Sequence, residues 1–141
     1  MEIGHREKSL EQRQSDCKKV QDKYPDKVCV YIEKSKSCKT VPDIDKHKFL
    51  VPNIISVSQF IYVIRKRVKL SPEEGLFFFV NNNTIISGNT SLGAINERYK
   101  DEDGFLYITY SGENCFGSFR RRSRVDPYLN RYPLSIREQA N

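Results

Sequence analysis

The sequence predicts an α+β fold in which one sheet is crossed by a main helix and preceded by a helical segment. Its length of 141 residues is typical of one domain with a possible tail. Its hydrophobic fraction of 38%, with 11% aromatic residues, is enough for a folded core. Segments with strand-like alternation and segments with helical spacing follow one another along the chain, and this succession predicts the α+β class.

A helix is predicted over residues 10–23. Leu10, Cys17 and Val20 lie on one helical stripe, with lysine and glutamine residues on the opposite side. Pro25 follows this stretch and ends the helix because proline has no backbone N–H to continue it.

Two strands are predicted next, over residues 28–34 and 46–51. The first alternates, so that one face carries Val28, Val30 and Ile32 and the other carries Cys29 and Tyr31. The second is closed by Pro52, and the residues between the two strands read as a loop.

The second half of the chain predicts helix, strand, short helix and strand. Ser56 is the expected N-cap of a helix over 56–70, since a serine hydroxyl accepts from the first free backbone N–H groups. The apolar positions at helical spacing are Val57, Phe60, Ile61, Ile64 and Val68. The remaining predicted segments are a buried strand at 75–82, an asparagine turn at 81–83, a helix at 90–99 with Leu92 and Ile95 inward, and a strand at 104–111.

This order, a hairpin, a crossing helix and further strands, favours the β-grasp arrangement of ubiquitin-like domains. A ferredoxin-like fold is the competing prediction, because it also combines helices with a small sheet.

Charge is distributed unevenly and argues against nucleic-acid binding. The segment 118–141 has six arginines against Asp126 and Glu138, a net charge of +4, which leaves +2 of the total +6 for the rest. Most of the basic excess therefore lies outside the predicted domain, in a short cluster without a recognition fold. The chain has no apolar run of transmembrane length, and its first residues lack the apolar core of a signal peptide, so a cytoplasmic protein is expected.

No catalytic or metal-binding constellation is evident, so neither an enzyme nor a metal site is expected. The four cysteines, Cys17, Cys29, Cys38 and Cys115, contain no C-x-x-C pair, and four partly buried unpaired thiols are the favoured interpretation. Cys115 has no histidine near it in sequence to act as a base. The acidic run 101–103 is interpreted as a solvated turn rather than as paired catalytic carboxylates.

The strand at 46–51 has a mixed surface on both faces. Lys46, Lys48 and Leu50 point one way, while His47, Phe49 and Val51 point the other. An edge strand of this composition favours the addition of an extended peptide as a further strand. The alternative, an edge strand protected by lysines and without a ligand, stays open from the pattern alone.

Five separate segments carry a resemblance to a known family: YPDKVCVYIEK, DIDKHKFLVP, SQFIYVIRKR, FFFVNN and DEDGFLYITYSGENCFG. They resemble segments of the autophagy ubiquitin-like modifiers, the family of the GABA-receptor-associated and microtubule-associated light-chain-three proteins. The resemblance covers about residues 10–117. It implies a ubiquitin-like β-grasp core with two extra N-terminal helices. The implied division is a helical extension at 1–24, a ubiquitin-like domain at 25–117 and a removed, disordered pro-segment at 118–141.

The resemblance also implies a life cycle of cleavage and conjugation. A cysteine protease is expected to cut between Gly117 and Ser118, with Phe116 as an anchor in the protease. Activating and conjugating enzymes then pass the new carboxylate to phosphatidylethanolamine. No cofactor other than this covalent lipid is expected, and the protein is expected in the cytoplasm and on autophagosomal or vesicle membranes. The alternative is a non-conjugated ubiquitin-like module that acts on microtubules or other acidic partners.

The family's second implied function is the binding of aromatic-x-x-aliphatic motifs in cargo receptors and adaptors. The implied aromatic pocket consists of Asp16, Val20, Cys29, Tyr31, Lys48, Leu50 and Phe105. The implied aliphatic pocket consists of Phe49, Val51, Pro52, Ile55, Phe60, Val63 and Ile64. Acidic residues beside the motif would meet Lys46, Lys48 and Arg67.

The chain departs from the family at several of these places. Cys29 stands where the family usually has proline, and Tyr31 where it has a smaller aliphatic residue. Cys115 replaces the usual threonine or a similar residue before Phe-Gly. The preference of the aromatic pocket is therefore left open by the resemblance, as is a separate role for the basic tail.

Overall fold

The computed structural model describes residues 4–39, 41–71, 73–81 and 84–112. The predictions for Cys115, Phe116, Gly117 and the segment 118–141 lie outside these residues. The described elements, in chain order, are a 3-10 helix at His5–Glu7, α1 (Leu10–Lys23), β1 (Lys27–Lys34), β2 (Lys48–Pro52), α2 (Val57–Val68), β3 (Leu76–Val80), β4 (Thr84–Ile85), α3 (Leu92–Tyr99) and β5 (Leu106–Gly112). None of the described helices is long and apolar enough to cross a membrane.

The strands form one mixed sheet with the order β2-β1-β5-β3-β4. β1 pairs antiparallel with β2 and parallel with β5, which in turn pairs antiparallel with β3. The first and last strands of the domain therefore lie side by side at the centre. The ferredoxin-like alternative is wrong, because a βαββαβ chain needs a helix directly after its first strand, whereas β1 is followed by its hairpin partner β2.

Serine caps begin each of the three described α-helices. The hydroxyls of Ser9, Ser56 and Ser91 accept hydrogen bonds from backbone N–H groups three residues later. At α2 the Gln59 side chain also accepts from the Ser56 backbone N–H, which completes a capping box. The predicted N-cap at Ser56 is confirmed.

The main core lies between the sheet and the helices α2 and α3. The predicted inward face of β1 is confirmed, since Val28, Val30 and Ile32 are all buried in this core. The whole apolar stripe predicted for α2 is buried as well. Tyr110 of β5 is fully buried, and its hydroxyl donates to the Pro42 carbonyl at 2.7 Å, which ties the β1–β2 loop to the central strand.

Several strand predictions need correction: β3 spans Leu76–Val80 rather than 75–82, and β5 begins at Leu106 rather than at 104. β2 begins at Lys48, two residues later than predicted. Before β2, His47 is joined to β1 by one backbone and one side-chain hydrogen bond. The Ile32 N–H donates to the His47 carbonyl at 2.9 Å, and His47 Nδ1 donates to the Ile32 carbonyl at 2.8 Å. The short strand β4 was not predicted, because two residues carry no detectable alternation.

Candidate peptide-binding site

β2 lies at the edge of the sheet, as its mixed composition predicted. Among the described strands it pairs only with β1, so its outer backbone groups face away from the sheet. Alternation along β2 sends Phe49 and Val51 towards the main core and Leu50 towards a second cluster beneath α1. The two implied pockets therefore lie on opposite faces of the same edge strand.

The residues assigned to the aromatic pocket do come together. We call this group the aromatic site: Asp16, Val20, Cys29, Tyr31, Lys48, Leu50 and Phe105. Cys29, Tyr31 and Phe105 are buried in one cluster with Cys17 of α1, and Val20 and Leu50 pack against it. These buried side chains therefore form the floor of the aromatic site.

Two charged groups lie at the rim of the aromatic site. Lys48 Nζ is 5.9 Å from the centre of the Phe105 ring, within range of a cation–π attraction. Asp16 is bonded to Lys8 Nζ at 3.0 Å and to Gln12, and the Lys8 hydrogen bond lowers the pKa of the Asp16 carboxyl. The carboxylate at this rim already has partners within the chain.

The thiols of Cys17 and Cys29 are buried together under α1. Neither is in a disulfide. The Cys17 S–H donates to Cys29, and this bond raises the pKa of Cys17 and lowers the pKa of Cys29. The expectation of unpaired thiols holds for these two residues and is wrong for Cys38, which is disulfide-bonded.

The residues assigned to the aliphatic pocket also come together, between β2 and α2. We call this group the aliphatic site: Phe49, Val51, Pro52, Ile55, Phe60, Val63 and Ile64. Phe60 and Ile64 belong to the main core and are at most 1% exposed, so they can form only its floor. Phe49 and Ile55 are half-buried against that core, while Pro52 and Val63 are exposed.

Two of the three cations assigned to acidic flanking residues lie beside the aliphatic site. Lys46 Nζ is 5.2 Å and the Arg67 guanidinium 5.6 Å from the centre of the Phe49 ring. Arg67 also pairs with the exposed Asp45 at 3.4 Å. The third cation, Lys48, belongs to the other face of β2, so positive charge flanks both sites.

Asp103 is the clearest residue that sequence reasoning missed. It was assigned to a solvated turn, but it is only 1% exposed. Its carboxylate accepts from Arg13 Nε at 2.9 Å, from the Tyr107 hydroxyl at 2.5 Å and from the Phe105 N–H at 2.8 Å. The reason for the difference is that its ion-pair partner, Arg13, comes from α1, ninety positions away in sequence.

His5 is the second missed residue, and it lies against the aromatic site. Its ring stacks on Tyr31, with centroids 4.7 Å apart, and meets Phe105 edge-on at 4.6 Å. A lone histidine near the start of a polar segment gave no sequence signal for this contact. The neighbouring Arg6 guanidinium lies over Tyr31 and Tyr107 and bonds Glu33 at 2.5 Å.

The fold and this surface define a class of protein: a β-grasp domain with an N-terminal helical extension packed beside an exposed sheet edge. Residues 12–117 match the sequence model of the family described as "Autophagy protein Atg8 ubiquitin like". "Autophagy-related protein 8d" of Arabidopsis thaliana is 50% identical over 114 residues, which cover 80% of this chain and 92% of that protein. "Autophagy-related protein 8" of Mycosarcoma maydis is 48% identical over 112 residues, 79% of this chain and 92% of that protein.

A solved structure agrees with the sequence relatives. The "Crystal Structure of Trypanosoma brucei ATG8" superposes with a TM-score of 0.72 at 39% identity, covering 79% of this chain and 97% of that one. The chain therefore belongs to the Atg8 family of autophagy-related ubiquitin-like proteins.

Proposed function

We propose that the protein is a ubiquitin-like modifier of autophagy, not an enzyme, and that it binds short peptide motifs while it is attached to a membrane. The observation that carries this proposal is the exposed edge strand β2, with an apolar site and a cation on each of its faces. Membership of the Atg8 family supports the same conclusion, and the family match extends to Gly117.

In the conjugation step, Gly117 becomes the new carboxyl end when a cysteine protease removes the residues from Ser118 onwards. An activating enzyme adenylates that carboxylate with ATP, which releases pyrophosphate, and its thiol then displaces AMP to form a thioester. A conjugating enzyme takes over the thioester and transfers the acyl group to the amine of phosphatidylethanolamine, which releases the enzyme thiol. The two acyl chains contribute about 0.8 kcal/mol per buried CH₂, so a pair anchors stably where one chain is marginal. The unconjugated form would then be in the cytoplasm, and the conjugated form on autophagosomal or vesicle membranes.

In peptide recognition, an extended aromatic-x-x-aliphatic motif adds to the outer edge of β2. Backbone hydrogen bonds hold the added strand. Successive residues of an extended strand point to opposite faces, so two anchors three positions apart enter sites on opposite faces of the sheet. The contribution of each buried anchor is about 1.5 to 3 kcal/mol. Acidic residues of cargo receptors and adaptors would pair with the cations at Lys46, Lys48 and Arg67. Such a peptide is expected to bind with a dissociation constant of about 1 μM, roughly −8 kcal/mol.

Replacing Phe49 and Leu50 together with alanine should weaken binding of such a peptide at least about tenfold, or 1.4 kcal/mol. Phe49 belongs to the aliphatic site and Leu50 to the aromatic site, so the double substitution removes an apolar side chain from each site. Titration calorimetry measures the change. Tyr62→Ala is the matched control, since Tyr62 is 59% exposed on α2 and belongs to neither site. Equal affinities for both variants and the wild type would exclude this surface as the peptide site.

The conjugation proposal is tested by intact-mass analysis of the protein recovered from its own cells. The expected species are a chain that ends at Gly117 and the same chain with a phosphatidylethanolamine adduct. Recovery of only the 141-residue chain, in conditions that induce autophagy, would favour the non-conjugated module that acts on microtubules or acidic partners.

A further inference from the structure

The N-terminal segment places an aromatic ring against the floor of the aromatic site. His5 is 7% exposed, although it belongs to a 3-10 helix of three residues near the start of the chain. Its ring contacts Tyr31 and Phe105, which are two of the buried floor residues of the aromatic site. Both contacts have the stacked and edge-on geometries that aromatic pairs prefer.

Hydrogen bonding shows which tautomer of His5 occupies this position. The Tyr107 hydroxyl donates to Asp103, so its oxygen is left to accept from His5 Nε2 at 2.9 Å. Nε2 therefore carries the proton of the neutral ring. Nδ1 is buried and has no hydrogen-bond partner among the residues that the structure describes. A second proton on Nδ1 would leave a buried charged N–H without an acceptor.

The charged surroundings agree with a neutral ring. Burial is the main cause that lowers the pKa of His5 to about 4, and the nearby cations Lys48, Arg13 and Lys8 act in the same direction. Asp103 opposes them and raises the pKa. The ring is therefore neutral at physiological pH, which suits a position among aromatic side chains.

Contacts on both sides of His5 hold the segment in place. Arg6 bonds Glu33 of β1 and covers Tyr31 and Tyr107. On the other side, the Lys8 carbonyl accepts from Arg13 Nη1 at 2.8 Å, and the Lys8 ammonium bonds Asp16 at the rim of the aromatic site. Glu7, between them, is exposed.

We propose that His5 is an internal occupant of the aromatic site, which a peptide's aromatic anchor must displace before it can bind. The inference rests on the proposed peptide-reading function and adds a selectivity filter to it. Peptides whose large aromatic anchor replaces the contacts of His5 bind to the site. Peptides with a smaller anchor bind weakly, because the His5 ring competes with them. Asp16 is released from Lys8 in the same movement.

The first test compares peptide affinities by titration calorimetry. His5→Ala removes the internal ring, so an aromatic-x-x-aliphatic peptide should bind the variant roughly fivefold or more tightly, because the stacked and edge-on contacts no longer compete. Glu7→Gln is the matched control in the same segment and should bind like the wild type. His5→Phe retains a ring and should keep an affinity close to that of the wild type.

The second test follows the His5 ring itself by proton NMR titration, with His47→Gln to assign the two histidines. In the unbound protein the His5 pKa is expected at about 4. In the peptide complex it should rise towards about 6.5, the value of a solvated histidine. A pKa that stays low in the complex would make His5 a fixed wall of the site and overturn the inference.

The outcomes separate the inference from the function on which it rests. If Phe49→Ala weakens binding while His5→Ala leaves it unchanged or weaker, the peptide site stands and the internal occupant is wrong. If the peptide binds His5→Ala but not the wild type, the inference is supported in its strongest form. If it binds neither at millimolar concentration, both the peptide site and its occupant are excluded.

Discussion

Gly117→Ala is expected to abolish both cleavage and lipid attachment. A glycine has no Cβ, so the thiolate of a protease or conjugating enzyme can reach its carbonyl within a narrow cleft, and a methyl group there obstructs the approach. The measurement is the intact mass of the protein from cells, together with its fraction in the membrane pellet. The expected result is the uncut chain only, without an adduct.

Ser118→Ala is the matched control for this change, because it alters the residue on the other side of the proposed cut and is discarded with the pro-segment. It should be cut and conjugated like the wild type. Normal membrane attachment of Gly117→Ala would contradict the conjugation proposal and support the non-conjugated module.

Asp103→Ala is expected to lower the free energy of unfolding by about 3 to 5 kcal/mol, since removing one partner of a buried ion pair leaves the other charge uncompensated. The lower end of this range applies, because the Arg13 side chain keeps 22% exposure and water can reach it. The loss also leaves the buried Phe105 N–H without its acceptor. Urea denaturation followed by circular dichroism measures the difference.

Glu102→Ala serves as the control for Asp103→Ala, since Glu102 is the adjacent acidic residue and is exposed. It should change stability by less than about 0.5 kcal/mol, as is usual for exposed positions. If the two variants were equally stable, the solvated-turn interpretation of residues 101–103 would be correct after all.

The predictions that held depend on local signals. Alternation in β1 separated Val30, in the main core, from Cys29, in the cluster beneath α1, and a serine before an apolar stripe located the start of α2. The mixed composition of the second strand predicted an edge, because a central strand would bury such lysines. These signals are contained in stretches of a few residues, so the sequence alone reveals them.

The residues that the sequence did not reveal make contacts between distant parts of the chain. Arg13 meets Asp103 across ninety positions, and His5 meets Tyr107 across 102. An acidic run and a lone histidine look the same in sequence whether they are solvated or buried. The members of the aromatic site were identified through the family resemblance, but that resemblance gives no information on the contacts of His5, which is outside the pattern it covers.

The parallel pairing of β1 with β5 has a consequence for mechanical load. Five residue pairs, from Val30–Leu106 to Lys34–Tyr110, join these strands. If a load beyond β5 and an opposite load on β1 act along the strands, the two strands are pulled past each other in shear. Sliding the strands apart then requires the interstrand hydrogen bonds to break together rather than one by one. The central strand pair therefore resists a load that acts along its strands.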